Sequence, residues 1–200
     1  MKRPKTSKQA PLPLSGKTLG SKRQPRRYFE AVRLESDKIS KFDEYPFSIP
    51  SIRHLTRLEF HPAVAFFIGE NGSGKSTLLE AIAVKAGYSA EGGDKQLQFG
   101  TCDTHSPLHD CLRLERSFGR PTDGFFLRAE SFYNVASELE KIESATPTSH
   151  PKGPYMAFGG KSLHCQSHGE SFLTLMKERL QGGGVYLFDE PEAALSPQRQ

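Results

Sequence analysis

The chain has 200 residues, 36% hydrophobic and 25% charged, with a mean hydropathy of −0.55, which suits one domain with enough apolar residues for a single core. No stretch approaches the roughly 18 to 20 unbroken apolar residues of a spanning helix, and no apolar run follows the basic N-terminus as in a signal peptide. A membrane protein is therefore not expected, and a cytoplasmic location is. The net charge of +4 hides an asymmetry: residues 1–27 hold nine Lys or Arg and no Asp or Glu, leaving 18 basic against 23 acidic residues in the remainder, a net of −5.

The N-terminal 27 residues are rich in Pro, Ser, Gly and Lys, and only Leu12, Leu14 and Leu19 are large and apolar. Such a segment cannot offset the entropy of ordering itself, so it reads as a basic disordered tail. An electrostatic arm for nucleic acid or another polyanion is the functional alternative, and charge alone does not separate the two. Ser15-Gly16-Lys17-Thr18 imitates the end of a phosphate loop, but Pro11 stands at the leading glycine position and no strand precedes it.

Residues 28–34 alternate and carry aromatic and β-branched side chains, predicting a first strand. Residues 43–50, with Pro46 and Pro50, read as a loop. Residues 55–60 alternate as a half-exposed strand, whereas residues 63–68 are a continuous apolar run of the kind buried on both faces of a sheet. From Ser76 the period changes. Leu78, Leu79, Ile82, Ala83 and Ala86 form one helical stripe, with Gly87 placed to end it.

Residues 89–124 are rich in Gly, Asp, His and Ser, with Leu112 and Leu114 hinting at a strand. Cys102, His105, His109 and Cys111 crowd together here, and His164, Cys165 and His168 follow later, but their spacing matches no structural zinc pattern. The odd number of cysteines, at no disulfide-scaffold spacing, suits a reducing compartment. Phe125, Phe126 and Leu127 predict a short buried strand. Phe132, Val135, Ala136, Leu139 and Ile142 give a second helix, residues 146–155 a proline-rich loop, and Phe172, Leu173, Met176 and Leu180 a third helix ended by Gly182 to Gly184. Residues 185–188 predict another fully buried strand, ending on Asp189 and Glu190. Strands and helices in alternation imply an α/β domain over residues 28–200 with a mainly parallel core sheet.

Gly69, Glu70, Asn71, Gly72, Ser73, Gly74, Lys75 and Ser76 satisfy the phosphate-loop pattern at every required position, with Thr77 continuing the first helical turn. Glycines let the backbone N–H groups turn inward, and the helix that follows adds the positive end of its dipole. Lys75 would reach the β- and γ-phosphates and the Ser76 hydroxyl would ligate Mg²⁺. Asp189, at the C-terminal end of its strand, would hold the same Mg²⁺, and Glu190 would polarise the attacking water.

With the continuation Asp189-Glu190-Pro191 and the later Ala194-Leu195-Ser196-Pro197, the chain resembles the ABC-class ATPases, which include transporter motors and DNA-repair and chromosome-maintenance ATPases. It is also similar to stand-alone bacterial predicted ATPases labelled AAA-family, through Gly124-Phe125-Phe126-Leu127-Arg128-Ala129-Glu130-Ser131 and Ser167-His168-Gly169-Glu170-Ser171-Phe172. The resemblance implies a P-loop NTPase three-layer fold and use of ATP and Mg²⁺. In that family a signature loop opens a helix before the aspartate strand; Gln166 to Glu170 stands in that place, so Ser167, Gly169 and Glu170 would contact ATP bound to a second copy. A head-to-tail, ATP-dependent homodimer follows. Glu130 would take the place of the family's polar sensor of Mg²⁺ and water, and residues 194–197 that of its D-loop. The family's switch histidine should follow the catalytic glutamate, but the sequence ends at Gln200, from which a C-terminally truncated domain is expected. Two alternatives stay open: a nucleotide-gated nucleic-acid-binding module, supported by the basic tail, and an ATP-binding remnant without hydrolysis, supported by the early stop at Gln200. No adenine-stacking aromatic can be chosen among Tyr45, Phe47 and His54.

Overall fold

β1 (Phe29–Leu34) is the middle strand of an antiparallel sheet, flanked by β2 (Arg57–Glu59) and β3 (Leu112–Arg116). These assignments come from a computed structural model that describes residues 27–95, 106–130, 134, 137, 141, 168–180 and 182–194. Val32 pairs with Leu58 on one side and Leu114 on the other, so one face of the sheet is apolar. The register against β3 shifts between Phe29 and Ala31 and is regular from there to Leu34, so the buried Ala31 and Val32 lie on opposite faces of the sheet. On the opposite face Arg33 stands between Arg57 and Arg113. Like charges directly opposite repel. Glu115 relieves part of this by pairing with Arg33 at 3.4 Å and Arg57 at 2.9 Å.

A short helix, α1 (Pro50–Arg53), starts within what reads in sequence as a loop, with proline at a first-turn position where its missing N–H costs nothing. The main helix, α2 (Lys75–Ala86), follows the glycine loop. All five residues of the expected stripe are buried, together with Ala81. Leu78, Ala81 and Ile82 pack with Val32, Leu34 and Leu112 of the antiparallel sheet. Leu79, Ala83 and Ala86 pack instead with Tyr88 and Phe126. The helix is thus buried on two sides. Gly87 ends it in a left-handed conformation, φ 98°, while the Tyr88 N–H returns to the Ala83 carbonyl at 3.0 Å.

The second of those sides is a parallel pair, β4 (Asp123–Arg128) and β5 (Gly184–Asp189), in register from Asp123↔Gly184 to Arg128↔Asp189. Phe125, Phe126 and Leu127 are buried as their composition requires. Residues 185–188 are only half-buried, contrary to expectation. α3 (His168–Arg179) precedes β5 and buries Phe172. Asn134, Ser137 and Lys141 are helical, and the apolar stripe expected beside them lies outside the described residues, as does most of the N-terminal tail.

Two expectations need correction. The described sheets are one antiparallel group of three strands and one parallel pair, so a parallel core is only partly present. Residues 63–68 form no strand: they run without regular structure, with Phe66 82% and Ile68 92% exposed. An apolar run becomes a doubly buried strand only when strands flank it, and among the described residues none pairs with this one.

Tyr88 locks α2 to the parallel pair. Its ring is buried and its hydroxyl donates to the Val185 carbonyl at 3.1 Å. Gly124 makes room for it: a Cβ there would overlap the Tyr88 hydroxyl and lie 2.6 Å from the Val185 carbonyl oxygen. Gly124→Ala should therefore lower the unfolding free energy measured by urea titration by an amount typical of overpacked cores, about 1–3 kcal/mol. Burial, aided by nearby Asp123, pushes the Tyr88 phenol up to about 12 from 10.0. The neutral phenol is the form the fold favours, so its contribution is complete below pH 10 and is lost as pH rises through about 12. Urea titrations across that window should show stability falling with pH, with a shallower fall in Tyr88→Phe.

Candidate nucleotide-binding site

Residues 69–74 curl between the exposed segment and the first turn of α2. Gly74, at the N-cap, is left-handed, φ 89°, and no side chain caps the helix. The first-turn N–H groups, which have no partners inside the helix, therefore lack a side-chain acceptor and are available to an anion. α1 braces the loop from behind: the Ser51 hydroxyl donates to the Ser73 carbonyl at 2.5 Å, and a Cβ on Gly74 would stand 3.0 Å from Ile49. Lys75 folds over the loop, its Nζ donating to the carbonyls of Gly69 and Glu70, each at 2.8 Å. That places an exposed ammonium group over a ring of backbone, where phosphate oxygens can exchange for carbonyl oxygens.

Asp189 and Glu190 emerge at the C-terminal end of β5. Asp189 is buried, 9% exposed. Its carboxylate lies 3.5 Å from Nε of Arg128, its register partner on β4, and Arg128 also pairs with Glu80 of α2 and, at 3.8 Å, with Glu130. Glu80 is four residues after Ser76, so the two lie on one face of α2. The face that presents the Ser76 hydroxyl is thus the face tied through Arg128 to Asp189. The Arg128 Nε makes an ionic contact with Asp189 but no hydrogen bond, so carboxylate lone pairs remain for another partner. Hard oxygen donors of this kind, a hydroxyl and a carboxylate, fit Mg²⁺.

Glu190 is exposed and has φ 49°, the one non-glycine residue with positive φ among those described. Such strain, of order 1–3 kcal/mol, persists at functional positions where the surroundings enforce it. Glu130 follows β4 with its carboxylate 82% exposed. Of the signature-like residues, Gly169 and Glu170 lie in the first turn of α3, while Ser167 lies outside the described residues. Ala194 closes a 3-10 turn that begins at Pro191, and residues 195–197 are outside the described set.

The structure separates the three aromatic candidates that sequence leaves open. Phe47 is in the core at 8% exposure, and the His54 ring is tied to the Pro50 carbonyl at 2.8 Å. Tyr45 is 64% exposed, and its hydroxyl is 3.3 Å from Thr77 Oγ1, at the start of α2. Sequence reasoning also missed Glu80 and Arg128 as partners; the spacing of Glu80 four residues after Ser76 is the signal that points to them. Of the cysteine and histidine cluster, Cys111 is buried against the Lys38 carbonyl and His109 faces the Ser106 carbonyl. Cys102, His105, His164 and Cys165 lie outside the described residues.

A protein-family model described as "AAA domain" matches residues 46–120, a span that holds α1, the glycine loop, α2 and β3. The match supports an AAA-type, P-loop ATPase-like family, with the nucleotide binding that such a domain implies. No curated protein and no solved structure matches. No helix among the described residues is long and apolar enough to cross a membrane.

Gly74→Val should abolish nucleotide binding measured with a fluorescent ATP analogue, because a β-branched residue can neither adopt φ 89° nor clear Ile49. Gly72 has φ 78° but open space around it, so Gly72→Asn, which tolerates the left-handed region, should retain most of the binding.

Proposed function

We propose that the chain is an Mg²⁺-dependent ATPase of the ABC-like class, working in the cytoplasm and using ATP-sandwiched dimerisation as its output. The observation that carries this reading is the ionic link from α2 through Arg128 to Asp189, which joins the phosphate loop to the two carboxylates at the end of β5. Gly69 to Ser73, with the N–H groups at the start of α2, would wrap the phosphates of ATP. The Lys75 ammonium would leave the carbonyls of Gly69 and Glu70 for the β- and γ-phosphate oxygens. Tyr45 would pack against the base.

Ser76 and Asp189 would hold Mg²⁺, with Glu130 nearby through water; when bound, the ion neutralises charge on the transferred phosphoryl group. Glu190, exposed and turned outward by its left-handed backbone, would accept a hydrogen bond from the attacking water and draw its proton as the bond to the γ-phosphorus forms. Cleavage then leaves ADP and inorganic phosphate. The first turn of α3, with Gly169 and Glu170, and Ser167 before it in sequence, would meet the γ-phosphate of a nucleotide on the second copy, where the helix N-terminus favours negative charge.

Glu190→Gln is expected to bind ATP with unchanged affinity, to lose turnover by at least about a hundredfold, and to accumulate as a dimer in size-exclusion chromatography with ATP and Mg²⁺. Lys75→Ala should lose binding itself. Turnover that survives in Glu190→Gln would overturn the catalytic assignment, and a monomer under all nucleotide conditions would overturn the sandwich.

A further inference from the structure

We propose that the surface formed by β3, the turn that follows it and the C-terminal end of α2 binds single-stranded nucleic acid, independently of the N-terminal tail. Two adjoining grooves carry the argument. One, of about 390 Å³, is lined by Lys95, Arg116 and Arg120 together with Tyr28, Phe29 and Phe118, and no carboxylate lines it. The other, of about 320 Å³, shares Arg116 and adds Lys85 and Arg113. Its single carboxylate, Glu35, is already paired with Lys38 at 2.6 Å.

Five cations thus follow one path in a body that is otherwise net acidic. Their own neutralisation is poor. Arg113 and Arg120 make no ion pair among the described residues: Arg113 acts on Glu35 and Glu115 only at longer range, and these carboxylates already hold Lys38, and Arg57 with Arg33, at contact distance. Arg116 lies over the Phe29 ring at 5.8 Å and donates to the Lys85 carbonyl at 3.3 Å; Lys95 lies over the Tyr88 ring at 5.1 Å. Burial first, and the neighbouring Arg116 second, depress the Lys95 ammonium.

Phosphates answer that charge, and aromatic groups select among polyanions. Phe118 is fully exposed between Ser117 and Gly119, and an exposed ring flanked by cations is the platform on which unstacked bases pack. A duplex hides its base faces and an acidic peptide has none, so a single strand uses both features of the surface. The site is also separate from the phosphate loop: Lys85 is ten residues along α2 from Lys75, about 15 Å at the helical rise.

The test is fluorescence anisotropy of a labelled 20-mer oligothymidine with the full chain, across a salt series, with heparin as a baseless polyanion and circular dichroism to verify folding. A background in which the eight Lys and Arg of residues 1–26 are replaced by Ser should still bind the oligonucleotide. In that background, Arg113→Glu with Arg120→Glu should weaken binding at least tenfold and flatten the log affinity against log salt slope by about 1.4, for two phosphate contacts. Arg113→Gln with Arg120→Gln serves if charge reversal unfolds the chain. Phe118→Ala should weaken oligothymidine binding about tenfold while leaving heparin binding unchanged. Binding that vanishes with the tail charges, or is indifferent to the arginine pair, overturns the proposal. So does a Phe118→Ala variant that binds oligothymidine as tightly as its parent, or duplex competing as well as single strand, since both mean a surface that reads charge alone.

Discussion

One guanidinium group, that of Arg128, holds the site together. It stands at the end of β4, largely removed from water, with Glu80 on one side, Asp189 on another and Glu130 at its outer edge. Without it, two carboxylates with side chains 15% and 11% exposed would face each other across a poorly solvated gap, and the cost of stranding such charges is about 3–5 kcal/mol. The cation makes that arrangement tolerable and orients it. Because Arg has a planar fork of donors, it can serve carboxylates in different directions at once, which a lysine ammonium on a flexible stem would do less well. The position of β5 relative to the phosphate-loop helix therefore depends on a polar contact as well as on apolar packing.

The apolar packing has a corresponding division of labour. One side of α2 belongs to the antiparallel sheet and the other to Phe126 and Tyr88. A helix clamped on both flanks has little freedom to slide, so the loop at its N-terminus inherits a fixed origin while keeping its own glycine-rich backbone adaptable. The brace from Ser51 to Ser73 extends the same logic to the far side of the loop.

Much of this was legible in the sequence because it rests on local signals. The helix stripe of Leu78, Leu79, Ile82, Ala83 and Ala86, its glycine terminator, the run Phe125 to Leu127 and the glycine pattern before Lys75 each depend on spacing over a few residues. What was not legible depends on partners distant in the chain. Residues 63–68 have the composition of a core strand but no described neighbour with which to form a ladder, and composition cannot supply one. The antiparallel pairing of β1 with β2 and β3 requires contacts across dozens of residues. Arg128 reads as an ordinary strand-end cation until the fold brings Glu80 and Asp189 to it, and Tyr45 becomes distinct from Phe47 and His54 only once burial and hydrogen bonding are known. Ser167, Cys102 and His105 are not among the residues that the structure describes.

The left-handed backbone at Glu190 has an evolutionary consequence. Glycine would occupy that conformation without the penalty of roughly 1–2 kcal/mol that a side chain incurs there, so selection for thermal robustness alone would drift the position toward glycine. Under the proposed chemistry the same drift would remove the group that activates water. Under that chemistry an acidic residue here trades heat tolerance for turnover, as is common where a working residue occupies an unfavourable conformation. If Glu190 activates water as proposed, stabilising screens that score only melting temperature would enrich for inert variants of this chain.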